Sequence, residues 1–375
     1  MKRLISLCCA FFIAFSVTAV NAEGINTSAK SVLLMEQSTK EVLYENNADE
    51  KLPIASVTKI MTMLLIMEAI DSGKISMEDT VTVSERAMSM GGSTMFLEAG
   101  EQLSVYEMLK GIAVASANDG CVAMAEFISG SEEAFVSEMN KRAAELGMTN
   151  TNFVNTNGLD DDNHYSSARD VALMSAELLK HDKIFEFTTI WTDKMNNGKY
   201  DLANTNKLIR FYPGANGLKT GSTSKALCCL SASAMRDDMQ LIAVVLAAPT
   251  SNDRFADARA LLDYGFANYK VEKPVNTGDE ICSVPVKKGV IDEIKVNTKS
   301  SFSLLSKKGT NEEIQVETFL PDEVKAPVAA GEVLGKMIFK KGAEQVGEVE
   351  LVAGCDVLKK SFGEYVKELF TMLFK

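Results

Sequence analysis

The sequence predicts an α+β protein: a large domain of helices and antiparallel strands, then a small all-β domain, then a C-terminal amphipathic helix. Three observations carry this. Through the first two thirds of the 375 residues, apolar side chains recur at helical spacing, broken by runs rich in Val, Leu and Ala. Near Tyr269 the helical period stops, and short Val- and Ile-rich runs alternate with Gly, Pro and Asn turns. The closing stretch "DVLKKSFGEYVKELFTMLFK" switches back to helical period.

Residues 1–22 read as an export segment. Lys2 and Arg3 precede the apolar "LISLCCAFFIAFSVTAV", and "VNA" ending at Ala22 fits a small-residue cleavage site. The alternative is an uncleaved anchor helix, for which the stretch is short against the ~20 residues of a span. Either way the body is exported.

Within 23–269, "AKSVLLMEQSTKEVLYE" reads as two strands around a turn. A helix follows from about Ser56 to Ile70, stopped near Gly73. Ser104 and Glu107 match a capping box, "SEEAFVSEMNKRAAELG" is an amphipathic helix closed by Gly147, and "SARDVALMSAELLKH" is a further helix. "ALCCLSASA" and "LIAVVLAA" read as paired core strands. Residues 270–353 form the β-rich domain. In 354–375, Leu358, Phe362, Tyr365, Leu369 and Leu373 share one helical face, and Lys359, Lys360, Glu364, Lys367 and Glu368 the other. Five charges exclude a membrane span, and the pattern fits a helix lying in the headgroup plane; the alternative is a helix packed on its own protein.

Composition excludes some functions. A formal net charge of −12 argues against a nucleic-acid partner, which needs a basic footprint. Past the export segment five cysteines remain, Cys121, Cys228, Cys229, Cys282 and Cys355, an odd set without disulfide spacing. There are two histidines, His164 and His181, with no CxxC and no HExxH, so neither a metal site nor a cofactor is expected. His164, in "DDNHYSS", reads as a structural loop residue.

Chemistry concentrates at a helix start. In "KLPIASVTKIMT", Ser56 and Lys59 stand at i and i+3, so an amine can reach a hydroxyl. Ser222 and Lys225 repeat the spacing, so the pair alone decides nothing. Two further words do. "VASANDG" places Ser116 and Asn118 in a break between helical runs, and "NGLKTGST" supplies Lys219, Thr220, Gly221 and Ser222 leading into the paired strands.

The order SxxK, SxN, KTG resembles the active-site motif set of penicillin-binding proteins and class A β-lactamases. "SANDG", "NHYSSARDVA", "NTNKL" and "GANGLKTGSTSKA", with the order of domains, are similar to the low-molecular-mass serine D-alanyl-D-alanine carboxypeptidases over nearly the whole mature chain. SAN stands where SGN is common, and Lys40 occupies a turn that often has glycine.

The resemblance implies a β-lactamase/transpeptidase-like catalytic domain acting on peptidoglycan stem peptides that end in D-Ala-D-Ala and acylated by β-lactam antibiotics, at the outer face of the bacterial cytoplasmic membrane. It implies Ser56 as nucleophile, Lys59 as base, Ser116 as proton relay, and Asn118, Lys219, Thr220, Gly221, Ser222 and Arg254 as substrate-binding residues. The amides of Ser56 and Ser222 would form the oxyanion hole, and Arg254 would read the substrate carboxylate; its alternative is a surface arginine. As a base, Lys59 must drop from about 10.4 toward 7–8, roughly 4 kcal/mol; repulsion from Lys219, with burial helping, is the expected source. Class A lactamases add a deacylating glutamate, and no Glu-x-x-Leu-Asn occurs between Asn118 and Lys219. An endopeptidase would share all the chemistry, and a non-catalytic wall-binding protein would not need these residues intact.

Overall fold

A computed structural model describes residues 25–195, 198, 200–310 and 314–373; the export segment lies outside them. The N-terminal unit is built on a five-stranded antiparallel sheet. Its strands are β1 (Ser31–Glu36), β2 (Val42–Asn46), β3 (Ala215–Thr223), β4 (Leu227–Arg236) and β5 (Met239–Ala248), in the order β2-β1-β5-β4-β3. The β1–β2 turn closes because the Glu36 carboxylate accepts from the Thr39 amide at 2.8 Å and from the Ser38 and Thr39 hydroxyls. Lys40 then turns the chain at φ 59°, where glycine is preferred.

The central strands are apolar on both faces because helices cover both. On β1 and β5, Leu33, Met35, Ile242, Val244 and Leu246 face the layer of α1 (Lys59–Asp71), α2 (Asn118–Ser129), α3 (Glu132–Glu145) and α4 (Ala168–Leu178). Their neighbours Val32, Leu34, Leu241, Ala243 and Val245 face Phe255, Leu261 and Leu262 of α5 (Ser251–Asn268). Three expected starts are capped as the sequence suggests: Ser104 Oγ accepts from the Glu107 amide, Ser131 from Ala134 and Ser167 from Asp170.

One strand differs from expectation. "NGLKTGST" leads into the paired strands as expected but is itself a strand, β3, at the sheet edge, with Lys219 opposite Ser231 and Ser222 opposite Cys228. Its Gly, Asn, Lys and Ser content is poor in strand formers, and pairing to β4 overrides that preference.

Beyond Asn268 the chain is all-β. Strand β6 (Tyr269–Val275) pairs with β9 (Phe302–Lys307). The strands β7 (Glu280–Lys287), β8 (Glu293–Thr298), β10 (Ile314–Phe319), β11 (Val324–Lys325), β12 (Val333–Lys341) and β13 (Glu344–Ala353) form a six-stranded sheet ordered β10-β12-β13-β8-β7-β11. Its core gathers Val284, Ile294, Val296, Phe339 and Leu351. Phe302 stacks on Phe339 with ring centroids 4.3 Å apart, room for it being left by Gly347, whose Cβ would fall 2.2 Å from the Phe302 ring.

The final helix, α6 (Phe362–Leu373), starts later than expected. Buried Val357 pairs with Val328, and Lys359 bridges Gly289, so Leu358 sits in extended backbone and not on the helix. Phe362, Tyr365, Val366, Phe370 and Met372 are exposed. Among the described residues no helix is long and apolar enough to cross a membrane.

Phe339→Ala should cost the β-rich unit ~3–5 kcal/mol. Calorimetry should show a lowered transition for that unit beside an unchanged one for the N-terminal unit. A single transition moving as a whole would show that the two do not fold independently.

Candidate active site

The helix carrying Ser56 and Lys59 begins with a 3₁₀ turn, Ala55–Thr58, before α1. At three residues per turn, positions i and i+3 eclipse, so Lys59 stands directly over Ser56; Nζ lies 2.8 Å from Ser56 Oγ. Ala55 enters the turn at φ 47°, a left-handed conformation costly for a residue with a Cβ.

Two other oxygens hold the amine. Asn118 Oδ1 accepts from Lys59 Nζ at 2.7 Å and the Asn157 carbonyl at 2.8 Å. Neither oxygen can donate, so each claims one N–H. When the amine is neutral, its lone pair is then left facing Ser56 Oγ. Lys59 is fully buried, and burial brings its pKa down to about 8. The expected cause is thereby corrected: desolvation leads, and repulsion from Lys219 is not among the main contributions at Lys59. Lys219, also buried, is lowered by desolvation first and by the Lys59 charge second.

Asn118 is fixed on every side. Its Nδ2 donates to the Gly91 carbonyl and its backbone amide to the Ser93 carbonyl, both at 2.7 Å. Next to it, the buried Asp119 carboxylate accepts from the Met95 and Leu97 amides, which ties the 91–97 loop to the start of α2. The break before Asn118 is a π-turn, Gly111–Ala115, ended by Ser116 at φ 63°, ψ 37°. Ser116 is buried, yet among the described residues its hydroxyl makes no hydrogen bond to Ser56, Lys59 or Lys219.

Strand β3 closes the other wall. A Cβ on Gly221 would lie 2.9 Å from the Ser56 amide nitrogen and 2.7 Å from the Ile54 carbonyl, so only glycine lets the strand come this near. Thr220 Oγ1 pairs with Thr205 Oγ1 at 2.6 Å, and Ser222 Oγ lies 3.9 Å from Cys228 Sγ. Arg254 is not a surface residue. It is buried in the first turn of α5, where Nη1 donates to the Gly221 carbonyl at 3.0 Å and to that of Cys229. Its Nε has no hydrogen-bond partner among the described residues.

Some residues at the site carried no sequence signal read above. Asn157 contributes a backbone carbonyl, which any residue type could supply. Gly158 has φ 87° and its Cβ would lie 1.8 Å from the Ala55 carbonyl, so the 155–158 loop presses on the turn that carries Ser56. A glycine after Asn was the one available clue. Thr205 lies in "NTNKL", where only the motif likeness pointed.

His164 takes the loop role expected, with a specific task. Nδ1 accepts from the Val154 amide, so Nε2 carries the proton and donates to Thr58 Oγ1 at 2.7 Å, two residues from Ser56. Burial lowers its pKa to about 4.

Known proteins share this architecture. The family described as D-alanyl-D-alanine carboxypeptidase matches residues 16–250, and the domain described as penicillin-binding protein 5, C-terminal domain, matches residues 269–359. The chain is 46% identical to D-alanyl-D-alanine carboxypeptidase DacF of Bacillus subtilis, over 98% of this chain and 97% of the relative. It is 33% identical to D-alanyl-D-alanine carboxypeptidase DacA of Escherichia coli over 99% and 96%. Among solved structures, penicillin-binding protein 5 of Haemophilus influenzae superposes with TM-score 0.72 at 33% identity, covering 89% of this chain and 98% of that one. Penicillin-binding protein D2 of Listeria monocytogenes, solved in its ampicillin-bound form, gives 0.59 at 32% identity, over 65% and 99%.

A base whose folded pKa is depressed supports stability above its unfolded pKa and loses it as pH falls through the folded one. Wild type should therefore lose ~3 kcal/mol more than His164→Gln between pH 6.5 and 4, since glutamine keeps one donor and one acceptor but does not titrate. Urea unfolding of both proteins across that range measures the difference; parallel curves would remove His164 as the cause.

Proposed function

The chain belongs to the D-alanyl-D-alanine carboxypeptidase family, and from that membership we infer that it hydrolyses the bond between two terminal D-alanines of a peptidoglycan stem peptide through an acyl-enzyme on Ser56. The observation that carries this reading is the Lys59 amine, with two N–H groups held by pure acceptors and its remaining position on Ser56 Oγ. Neutral Lys59 takes the hydroxyl proton as Oγ attacks the carbonyl. The amides of Ser56, at a helix start, and Ser222, on an edge strand, receive the oxyanion, a single such donor being worth about 3–4 kcal/mol. Ser116 passes a proton to the departing D-alanine nitrogen, and Asn118 holds the substrate amide. Water then cleaves the ester, returning Oγ its proton.

Lys219, Thr220 and Arg254 receive the terminal carboxylate. Arg254 supports this with a buried guanidinium beside Gly221 and an unpartnered Nε. A β-lactam carries a strained amide and a carboxylate in a similar arrangement, so it should acylate the same serine.

Residues 1–22 act as an export signal and 23–269 as the catalytic domain. Residues 270–353 act as a spacer that sets the site off from the membrane, and the C-terminal helix holds the protein to the outer face of that membrane. The exposed Phe362, Tyr365, Val366 and Phe370 support the last point.

Wild type should form a stable adduct with labelled penicillin and release D-alanine from diacetyl-Lys-D-Ala-D-Ala, and Ser56→Ala should do neither. Rapid penicillin turnover instead would indicate a lactamase. Lys59→Gln should lower kcat/KM ~10²–10⁴-fold. Because the amine works deprotonated, acylation should rise with pH and level off above about 8; a rate independent of pH across 6–9 would exclude Lys59 as the base. Deleting residues 362–375, which leaves buried Val357 in the β-rich unit, should move the protein from the membrane fraction to the soluble one.

A further inference from the structure

The turn that binds the base of α6 to the β-rich unit has an unusual surface. Residues 288–290 run alongside 358–360 around one antiparallel bridge, with Lys288 in the left-handed region at φ 61°: the Val290 amide donates to the Leu358 carbonyl at 2.9 Å, Gly289 bridges Lys359, and the Lys360 amide donates to the Lys288 carbonyl at 2.8 Å. Residues opposite one another in such a pair put their side chains on the same face. Val290 therefore stands beside Leu358, and the exposed Lys288 lies next in the turn.

Turn tips normally carry polar residues, yet Val290 is 42% exposed, Ile291 40% and Leu358 68%. They continue directly into Phe362, which is 84% exposed. Glycine 289 cannot be replaced without loss, since a Cβ there would meet Val286 and Val357 within 3 Å, so the turn is packed tightly onto the domain behind it.

Both signs are present around the patch, but its acids are engaged locally: Asp356 accepts from the Ala330 amide and Glu364 from the Ser361 amide. Lys287 pairs with Glu323 and Lys360 with Asp292. Lys288, Lys359 and Lys367 have no ion pair among the described residues, in a chain whose formal net charge is −12. Exposed apolar side chains rimmed by unpaired lysines are what an anionic bilayer surface binds: the hydrocarbon side chains enter the headgroup boundary, and each nearby lysine adds attraction to anionic lipid.

We propose that Val290, Ile291 and Leu358, with Lys288 and Lys359, form a second membrane-contact surface on the β-rich domain, continuous with α6 and specific for anionic lipid. The proposal rests on the membrane reading of α6 and extends it. The backbone pairing makes the turn and the helix base one rigid footing, so the β-rich domain meets the bilayer in a fixed orientation and is more than a spacer.

The test is co-flotation of the full mature chain with vesicles of phosphatidylcholine alone or mixed with phosphatidylglycerol. Val290→Ser/Ile291→Ser should weaken partitioning roughly tenfold, as removal of two partly inserted side chains implies. Lys288→Gln/Lys359→Gln should weaken binding only to the phosphatidylglycerol vesicles and flatten its salt dependence. D-alanine release from a soluble peptide should be unchanged in both, which shows that they fold. Phe362→Ser/Phe370→Ser tests the helix separately. If it abolishes flotation while the turn variants float like wild type, the second surface is refuted and the membrane reading stands. If it changes nothing, the membrane reading itself falls. A turn variant that converts a vesicle-free dimer to monomer would assign the patch to contact between two copies and overturn the proposal.

Discussion

A lysine amine sealed from water is the constraint on which the N-terminal unit depends. An ammonium buried without partners is too costly to keep, and Lys59 meets three oxygens from three separate parts of the chain: Ser56 on its own helix, Asn118 at the start of α2 and the carbonyl of Asn157 in a loop. Each of these is held in turn. Asn118 is fixed by the carbonyls of Gly91 and Ser93, and the neighbouring Asp119 draws in the amides of Met95 and Leu97. The arrangement reconciles two demands, since the site must be dry enough to lower the amine to about 8 and polar enough to orient it.

Close approach of backbones does the remaining positioning. Gly221 brings the edge strand against the nucleophile's amide, and Gly158 brings the 155–158 loop against the Ala55 carbonyl. Between these two walls the turn at Ala55 is held at φ 47°, a geometry that the local sequence would not adopt by itself. Strain at Ala55, beside the serine, is therefore maintained by the 155–158 loop and the edge strand, and His164, bonded to Thr58, supports the same turn from behind.

Much of this was legible in the sequence because it is written in local pattern. Helical periodicity located α1, α3 and α4, and Ser104 with Glu107 read as a cap. The loss of that period near Tyr269 located the all-β unit. The three motif words brought forward Ser56, Lys59, Ser116, Asn118, Lys219, Thr220, Gly221 and Ser222, and the family likeness brought forward Arg254. What escaped was nonlocal or independent of side-chain type. The edge strand β3 has a composition that disfavours strands and exists through its pairing with β4. Asn157 acts through a carbonyl. The lowered Lys59 was expected from a neighbouring cation, whereas the leading cause is exclusion of water, a property of the finished core that no spacing of residues encodes. The late start of α6 likewise follows from Val357 being buried in the β-rich unit, a tertiary event.

The two glycine-backed walls also order events in time. Both reach residues 54–56 from segments far along the chain, so the pocket involves long-range contacts that close late in folding. Until the loop and the strand have both docked, residue 56 is an ordinary alcohol on a wet chain, and its lysine neighbour, still hydrated, keeps its proton. A chain not yet folded is thus chemically silent, and reactivity appears together with the completed tertiary structure.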